Sequence, residues 1–170
     1  MYKRYGKEAV PVTDEAFAAR LVGLTQVLYR CCYLQLSSPA DREDAVQEAL
    51  RKAWEKRSRL RDDQLMQTWL IRILINECHN IQRRNHLNIP MAEWPEEPDL
   101  PNQEEDVLLR MALMSLEEKY RMPLLLHYVE GYPLEDVSRM LLLPMGTVKS
   151  RMARGKQQLK QRLAQEVFEA

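Results

Sequence analysis

The side chains of this chain best suited to chemistry are the cations that repeat between positions 147 and 163. This stretch holds six Lys or Arg residues and no Asp or Glu. At 100° per residue its apolar positions form one narrow stripe: Val148, Met152, Gly155, Leu159 and Leu163. The opposite side carries Ser150, Ala153, Arg154, Gln157 and Gln161, with Lys149, Lys156, Lys160, Arg151 and Arg162 on its flanks. The pattern predicts an amphipathic helix with a cationic outer surface.

A second short helix is predicted just before this basic one. Residues 134–141 have helical spacing, and Leu142-Leu143-Pro144 then interrupts it. A short helix, a tight turn and a basic helix are typical of the helix-turn-helix, whose second helix lies in a DNA major groove. A solvated basic helix on a bundle is the alternative. The preceding helix and turn favour DNA binding.

No arrangement of residues typical of catalysis is found. The sequence has no Ser/His/Asp set, no phosphate-binding glycine loop and no metal-ligand spacing. Cys31, Cys32, Cys78 and His79 could be imagined as a metal site, but neighbours on a helix point apart, and buried thiols are the simpler interpretation. We therefore expect a protein that is not an enzyme, with no cofactor and no metal.

The charge is balanced overall but distributed unevenly. The chain has 25 basic and 25 acidic residues, yet residues 85–106 carry seven acids and no Lys or Arg. The polar start has no cleavable apolar run, and no apolar stretch approaches the ~20 residues of a membrane span. Three cysteines agree with reduced thiols. We expect a cytoplasmic protein without direct membrane insertion.

Few glycines and long runs of helical spacing predict an all-α fold. The first helix is expected from a cap at Thr13 to about Leu36, with its apolar repeat at Phe17, Leu21, Leu24, Leu28 and Cys31. Ser38-Pro39 predicts the start of a second helix, which ends near Arg59 and has the apolar stripe Ala45, Val46, Ala49, Leu50, Ala53 and Trp54. A third helix is predicted over about 68–84.

Helical periodicity is then lost over residues 85–103, which contain Pro90, Pro95, Pro98 and Pro101. Prolines stop helices and like charges extend a chain, so this is predicted to be a linker. Helices at about 103–115 and 117–129 follow. Pro123 is expected to kink the second of these and Gly131 to end it.

Four motifs, taken together, resemble the extracytoplasmic-function (ECF) RNA polymerase sigma factors of the sigma-70 family. Residues 44–54 (DAVQEALRKAW) resemble the first conserved helix of sigma region 2, and residues 68–76 (TWLIRILIN) resemble the promoter-melting helix. Residues 128–131 (YVEG) and 144–151 (PMGTVKSR) resemble region 4. The order and spacing match from about residue 14 to 165.

The resemblance implies two small helical domains: region 2 over residues 10–86 and the region 4 helix-turn-helix over 103–168, joined by an acidic, proline-containing linker over 87–102. It implies a protein that binds the clamp helices and flap of core RNA polymerase and directs promoter-specific initiation. The first domain would open and read the −10 element, and the second would read −35. A restraining anti-sigma factor, which could be membrane-bound, is a further candidate partner.

The resemblance also assigns candidate contacts. Core polymerase would meet Asp44, Gln47, Glu48 and Arg51; −10 DNA would meet Arg61, Trp69, Arg72, Asn76 and Arg83; −35 DNA would meet Thr147, Lys149, Ser150, Arg151, Arg154 and Gln157. The first set could instead be a solvated helix face, and Trp69 is in register with Ile73 and Leu74, which favours a core position. A helix-turn-helix regulator that acts without core polymerase remains the alternative function. The acidic stretch 93–106 would run through the polymerase channel that otherwise carries nucleic acid and repel off-target DNA; a solvated spacer is the alternative role.

Three departures from the family pattern affect the second domain. Leu142 stands where the family usually has a turn glycine, which leaves the turn geometry open, and Pro133 stands where it usually has a Ser or Thr cap. Gly155 within the basic helix is expected to weaken that helix by roughly 1 kcal/mol relative to Ala.

Overall fold

The structure is a computed structural model that describes residues 13–60, 62–86 and 111–169. All regular secondary structure in these ranges is helical, which confirms the all-α prediction. The helices are α1 (Asp14–Gly23), α2 (Thr25–Tyr33), α3 (Pro39–Glu55), α4 (Met66–His86), α5 (Glu118–Leu124), α6 (Leu134–Leu141) and α7 (Met145–Glu169). The predicted linker lies outside the described residues. Of the predicted helix at 103–115 only residues 111–115 are described, of which 111–114 are helical and Ser115 is in a turn.

The first predicted helix is interrupted, so the expectation of one continuous helix to Leu36 is wrong. Its start is confirmed, because the Thr13 hydroxyl oxygen accepts a hydrogen bond from the Ala16 amide at 3.2 Å. The interruption falls at Leu24, whose amide bonds to the carbonyls of both Arg20 and Leu21, each at 3.2 Å. Gly23 has the lowest helix propensity of any residue but proline and closes α1 there. The apolar repeat remains buried across the break.

Helix α3 begins as predicted, with Pro39 in its first turn and the Ser38 hydroxyl accepting from the Asp41 amide at 3.3 Å. Its inner face consists of the small residues Ala45, Val46, Ala49 and Ala53, all buried. Trp54 lies at the edge of that apolar stripe, with its ring centre 6.2 Å from that of the buried Phe17. The Trp54 side chain is 37% exposed, and the Arg57 guanidinium lies 4.3 Å from its ring centre. The helix ends at Glu55, and residues Arg57–Arg59 form a 3-10 turn instead of continuing it.

Helix α4 is the centre of the described structure. It packs against α2 and α3 on one side and against α6 on another. Its buried side chains are Met66, Leu70, Ile71, Leu74, Ile75, Cys78 and Ile81. Cys78 Sγ lies 3.7 Å from Cys32 Sγ, and all three cysteines are buried free thiols.

The chain changes its helical hydrogen bonding beside Pro123, which lies inside α5. The α-helical pattern ends at Leu124, and residues Leu125–Val129 form a wider π-turn, closed by the Glu130 amide on the Leu125 carbonyl at 3.0 Å. Gly131 then takes a positive φ of 75°, which confirms that it ends this segment.

Gly155 has a packing role that the sequence did not reveal. A Cβ added at this position would lie 2.7 Å from Leu124 Cδ1 and 3.1 Å from Tyr120 Cβ. The first distance is shorter than carbon contacts in proteins and the second is tighter than most, so a side chain at Gly155 would displace Leu124 or move α7 away from α5. The low helix propensity of Gly155 is therefore accompanied by a closer contact between α7 and α5.

Candidate nucleic-acid interface

The turn between α6 and α7 closes without glycine. Leu142 adopts the left-handed conformation, with φ 54° and ψ 40°, and its side chain is exposed. The Leu143 amide bonds to the Ser138 carbonyl at 3.1 Å, and the Ser138 hydroxyl donates to the Leu143 carbonyl at 2.5 Å. A leucine in this conformation costs about 1–2 kcal/mol, which these two hydrogen bonds help to offset. The helix-turn-helix geometry is thus retained at the departure from the family pattern.

The other departure, at Pro133, leaves α6 without a side-chain cap. Pro133 fixes the extended conformation before the helix, with φ −56° and ψ 151°. Its carbonyl accepts from the amides of Asp136 and Val137, each at 3.0 Å. Glu135 and Asp136 place negative charge in the first turn, where it interacts favourably with the positive end of the helix dipole.

Helix α7 has the two faces that the spacing predicted. Val148, Met152 and Gly155 are buried and Leu159 is half-buried, while the side chain of Leu163 lies outside those described. The outer face is exposed along its described length: Ser150, Ala153, Arg154, Gln157 and Gln161. The apolar stripe faces α5 and α6, so the outer residues are free to meet a partner.

The candidate contacts to duplex DNA differ in how exposed their side chains are and in whether they already make a hydrogen bond within the protein. Lys149, Arg154 and Gln157 are exposed, whereas Thr147 and Arg151 are half-buried. The Ser150 hydroxyl already donates to the Thr147 carbonyl at 3.0 Å, a bond within the helix. Arg154 and Gln157 are therefore better placed than Ser150 to contact base edges.

Two polar contacts fix α7 from behind this face. Lys156 Nζ donates to the Tyr128 hydroxyl at 3.2 Å and lies 5.1 Å from its ring centre. Gln158 Nε2 donates to Glu117 Oε1 at 2.9 Å. The Lys119 ammonium, followed by the Gln158 amide, lowers the pKa of Glu117, which keeps this carboxylate ionised as an acceptor. These contacts orient the helix and keep its outer face available.

The four candidate polymerase contacts lie together, beside a groove between α3 and α4. Asp44, Gln47, Glu48 and Arg51 line this groove, whose volume is about 330 Å³. The Arg51 guanidinium binds both carboxylate oxygens of Glu48, at 2.8 and 2.6 Å, and also pairs with Glu55. The hydrogen bond from Arg51 is the main cause that lowers the pKa of Glu48 to about 2. The face is thus an ordered array of charges with an apolar floor at Ile81.

The candidates for −10 DNA are divided by the structure. Arg72, Asn76 and Arg83 are exposed along the outer side of α4. Trp69 is half-buried and packs against the core, in agreement with its register. Arg61 lies outside the described residues.

Comparison with known proteins decides the family. Residues 21–87 match the family described as Sigma-70 region 2, and residues 106–159 match the one described as Sigma-70, region 4. The ECF RNA polymerase sigma factor SigM of Mycobacterium tuberculosis strain H37Rv is 32% identical over 135 residues, covering 78% of this chain and 69% of that protein.

This chain belongs to the ECF RNA polymerase sigma factors. SigW of Bacillus subtilis strain 168 is 25% identical and covers 96% of this sigma factor and 97% of its own length. As a sigma factor, the protein binds core RNA polymerase and directs promoter-specific transcription initiation.

Two solved structures share the fold of this sigma factor. The sigma factor RpoE of Bartonella quintana, in complex with the anti-sigma factor NepR, superposes with a TM-score of 0.76 at 24% identity, covering 88% of this chain and 98% of that one. CnrH in complex with the cytosolic domain of CnrY gives 0.66 at 19% identity, with 89% and 90% covered.

The structure places further residues, which sequence reasoning did not name, beside both sets of candidates. His79 and Asn80 join Asn76 and Arg83 in an open groove of about 750 Å³ on α4. Glu77, Ile81 and Arg84 of α4 also line the groove between α3 and α4. Helical spacing places these residues within one turn of the candidates, and this spacing was the available signal.

Two further findings concern the parts of the sigma factor that the structure describes. They contain no group of three or more His, Cys, Asp or Glu side chains that could hold a metal ion. None of their helices is long and apolar enough to cross a membrane.

Proposed function

We propose that this sigma factor divides its work between three surfaces formed by α3, α4 and α7. The α3–α4 groove holds core polymerase, the outer side of α4 receives the melted −10 strand, and the outer face of α7 reads the −35 duplex. The observation that carries this assignment is α7 itself, whose apolar stripe is packed against α5 and α6 while its cationic side is left exposed. The corresponding domains are residues 10–86 and 103–168, joined through 87–102.

The groove lined by Asp44, Gln47, Glu48 and Arg51 has the character of a surface that accepts a charged helix. Its carboxylates and guanidinium follow one another at about one-turn spacing along α3, and Ile81 of α4 also lines the groove. Arg51 is held between Glu48 and Glu55, so its position is set before a partner arrives. Pre-organised charges of this kind favour one orientation of a partner over others.

The −10 strand is assigned to α4 because Arg72, Asn76 and Arg83 form an exposed polar line of about three turns. Single strands bind where cationic grooves lie beside stacking platforms. Trp69 would support this line from the core, and Arg61, which precedes α4 in the chain, would add a further cation.

The −35 duplex is assigned to α7 because Arg154 and Gln157 project from one exposed side and the exposed Lys149 lies on its flank. Arg154 is the lead base reader, since a guanidinium can bracket the two acceptors of a guanine edge. Lys149 and Arg151 flank this side, with Thr147 and Ser150 at its start, and would meet phosphates.

The remaining parts of the proposal follow from this division. Nucleotide addition belongs to the polymerase, so the sigma factor itself carries out no catalysis and needs no cofactor. It acts in the cytoplasm, where core polymerase and promoter DNA are. An anti-sigma factor is a further proposed partner, since the structural neighbour RpoE of Bartonella quintana is in complex with the anti-sigma factor NepR.

A footprint with and without core polymerase tests this function. The proposal expects protection of both promoter elements only when core is present. A regulator that acts without polymerase would protect duplex DNA alone, and adding core would leave its footprint unchanged.

A further inference from the structure

A tyrosine and a lysine meet at the edge of the outer face of α7, and neither belongs to the three surfaces proposed above. Lys156 Nζ donates to the Tyr128 hydroxyl at 3.2 Å and lies 5.1 Å from the centre of its ring. Both side chains reach solvent, since Lys156 is exposed and Tyr128 is 55% exposed. A hydroxyl and an ammonium side by side are two of the donors that bind phosphate oxygens of DNA.

The π-turn that follows α5 carries Tyr128 to the surface. Pro123 has no amide hydrogen, and the regular helical hydrogen bonding ends beside it, at Leu124. In the wider turn Leu125–Val129, the first two leucines stay buried, while Tyr128 emerges beside α7. Single π-turns within helices are frequent at functional sites.

The Tyr128 ring is held on a second side by His127. The two rings meet edge to face, with their centres 4.9 Å apart. His127 is itself fixed, because its Nδ1 donates to the Tyr132 carbonyl at 2.8 Å. Tyr128 is therefore oriented before any partner arrives, and an oriented side chain loses less conformational entropy on binding.

The position of Lys156 on α7 places the pair at the wall of a DNA groove. At 100° per residue, Lys149, Lys156 and Lys160 lie within about 40° of one another, in a row of roughly 16 Å. All three are exposed on one flank of the outer face. The major groove is about 12 Å wide, close to the diameter of a helix with its side chains, so the flanks of an inserted helix lie near the backbone phosphates.

The positive charge of this pair is not cancelled by the neighbouring acids. Within the part of the chain that the structure describes, the Lys156 ammonium makes no ion pair with a carboxylate. Glu130, two residues after Tyr128, is only 6% exposed, and Arg30 donates to both of its carboxylate oxygens. Lys119 differs in this respect, because its ammonium lies 2.6 Å from a carboxylate oxygen of Glu117.

We propose that Tyr128 and Lys156 together bind one backbone phosphate of the −35 duplex. The Tyr128 oxygen accepts from Lys156, so its own O–H remains to donate to the phosphate, and the ammonium keeps two further N–H donors. The phosphate would then receive hydrogen bonds from both residues, one of them from a charged donor. The pair fixes the position of α7 in the groove and reads no base. The inference rests on the proposed function, because it requires α7 to lie in the −35 major groove.

Binding of holoenzyme to a promoter that it transcribes tests the pair first. Tyr128→Phe keeps the ring and removes only the hydroxyl. It should weaken binding about threefold to tenfold at every single-base variant of the −35 element and leave the salt dependence unchanged, because no charge is lost. Lys156→Gln should weaken binding similarly and lower the slope of log affinity against log salt by about 0.9.

Lys119→Gln is the matched control. It removes the same charge from a lysine that also lies beside a tyrosine ring, 4.9 Å from the centre of Tyr120, but whose ammonium is paired with Glu117. It should change neither the affinity nor the salt slope. Circular dichroism and urea denaturation check that each variant folds as the wild type does.

Neutral methylphosphonate groups, placed at one phosphate at a time along both strands of the −35 element, locate the contact. The wild type should lose affinity at one position where Tyr128→Phe with Lys156→Gln loses none. The proposal would be overturned by wild-type affinity of Tyr128→Phe, by a changed base preference in that variant, or by a double variant as sensitive as the wild type at every position. Failure of the proposed function would differ, because wild-type holoenzyme would then leave the −35 element unprotected.

Discussion

Gly155 lies directly against Leu124: a Cβ on Gly155 would stand 2.7 Å from Leu124 Cδ1. Leu124 is 3% exposed, so its side chain has little room to move away. The backbone of the basic helix therefore approaches α5 so closely that an added Cβ would have to displace the Leu124 side chain. This contact holds the outer face of α7 in place.

Gly155→Ala is expected to destabilise the protein by about 1–3 kcal/mol, because the strain of overpacking exceeds the gain in helix propensity. The control is Gly146→Ala in the same helix, where the space around an added Cβ is open. That change should be neutral or slightly stabilising. Urea denaturation measures both. Equal effects at the two glycines would show that the contact with Leu124 does not limit packing.

The α3 groove predicts a charge-dependent contact with polymerase. Asp44→Lys with Gln47→Ala should weaken core binding by roughly tenfold, or ~1.4 kcal/mol, without loss of helicity. Glu15→Lys with Gln26→Ala makes the same changes at exposed positions of α1 and α2 and should bind normally. Affinity is measured by titration of core with labelled sigma factor. Undiminished binding of the first variant would assign core contact to another surface.

Arg154 and Lys149 are predicted to have different roles on α7. Arg154→Ala should cost about 1–3 kcal/mol on the preferred −35 site and blur the preference at one base pair. Lys149→Ala should weaken binding to all DNA sequences alike and reduce the salt dependence of binding, since one fewer counterion is released. Binding of holoenzyme to single-base variants at several salt concentrations separates the two. If Arg154→Ala changed only the salt slope, Arg154 would be a phosphate contact.

Tyr132 is predicted to titrate abnormally. Burial, then the charge of Glu130, raises its pKa to about 12, from about 10 in an unfolded chain. The folded state therefore holds this proton more tightly, so the associated stability is complete below pH 10 and is lost as the pH rises through 12. The pH is raised while the phenolate absorbance of the wild type and of Tyr132→Phe is recorded. The absorbance that only the wild type shows should appear near pH 12. Its appearance near pH 10 would mean that Tyr132 is solvated.

Local signals in the sequence predicted the features that depend on neighbouring residues. Thr13 and Ser38 cap their helices as expected, because a cap bonds to an amide three residues away. The two faces of α7 were predicted from its periodicity alone. The role of Gly131 in ending the helical segment was predicted from its place after the last apolar run.

The remaining features depend on segments that are distant in sequence. Trp54 is partly exposed, because its ring lies near buried Phe17 and also contacts the Arg57 guanidinium, and periodicity does not reveal this second partner. From the sequence, Gly155 indicates only a loss of helix propensity. Its packing role depends on α5, which lies against it in the folded chain. Arg30 and Glu130 are 100 residues apart, and no local pattern joins them.

The central claim is that this chain confers promoter-specific initiation on core RNA polymerase, and single-round run-off transcription on genomic fragments tests it most directly. Core alone, the sigma factor alone and both together are compared on the same fragments. The account predicts discrete transcripts only when both are present, and fewer transcripts with Asp44→Lys and Gln47→Ala together. Unchanged transcription on adding the sigma factor, although it binds the same DNA by itself, would contradict the account.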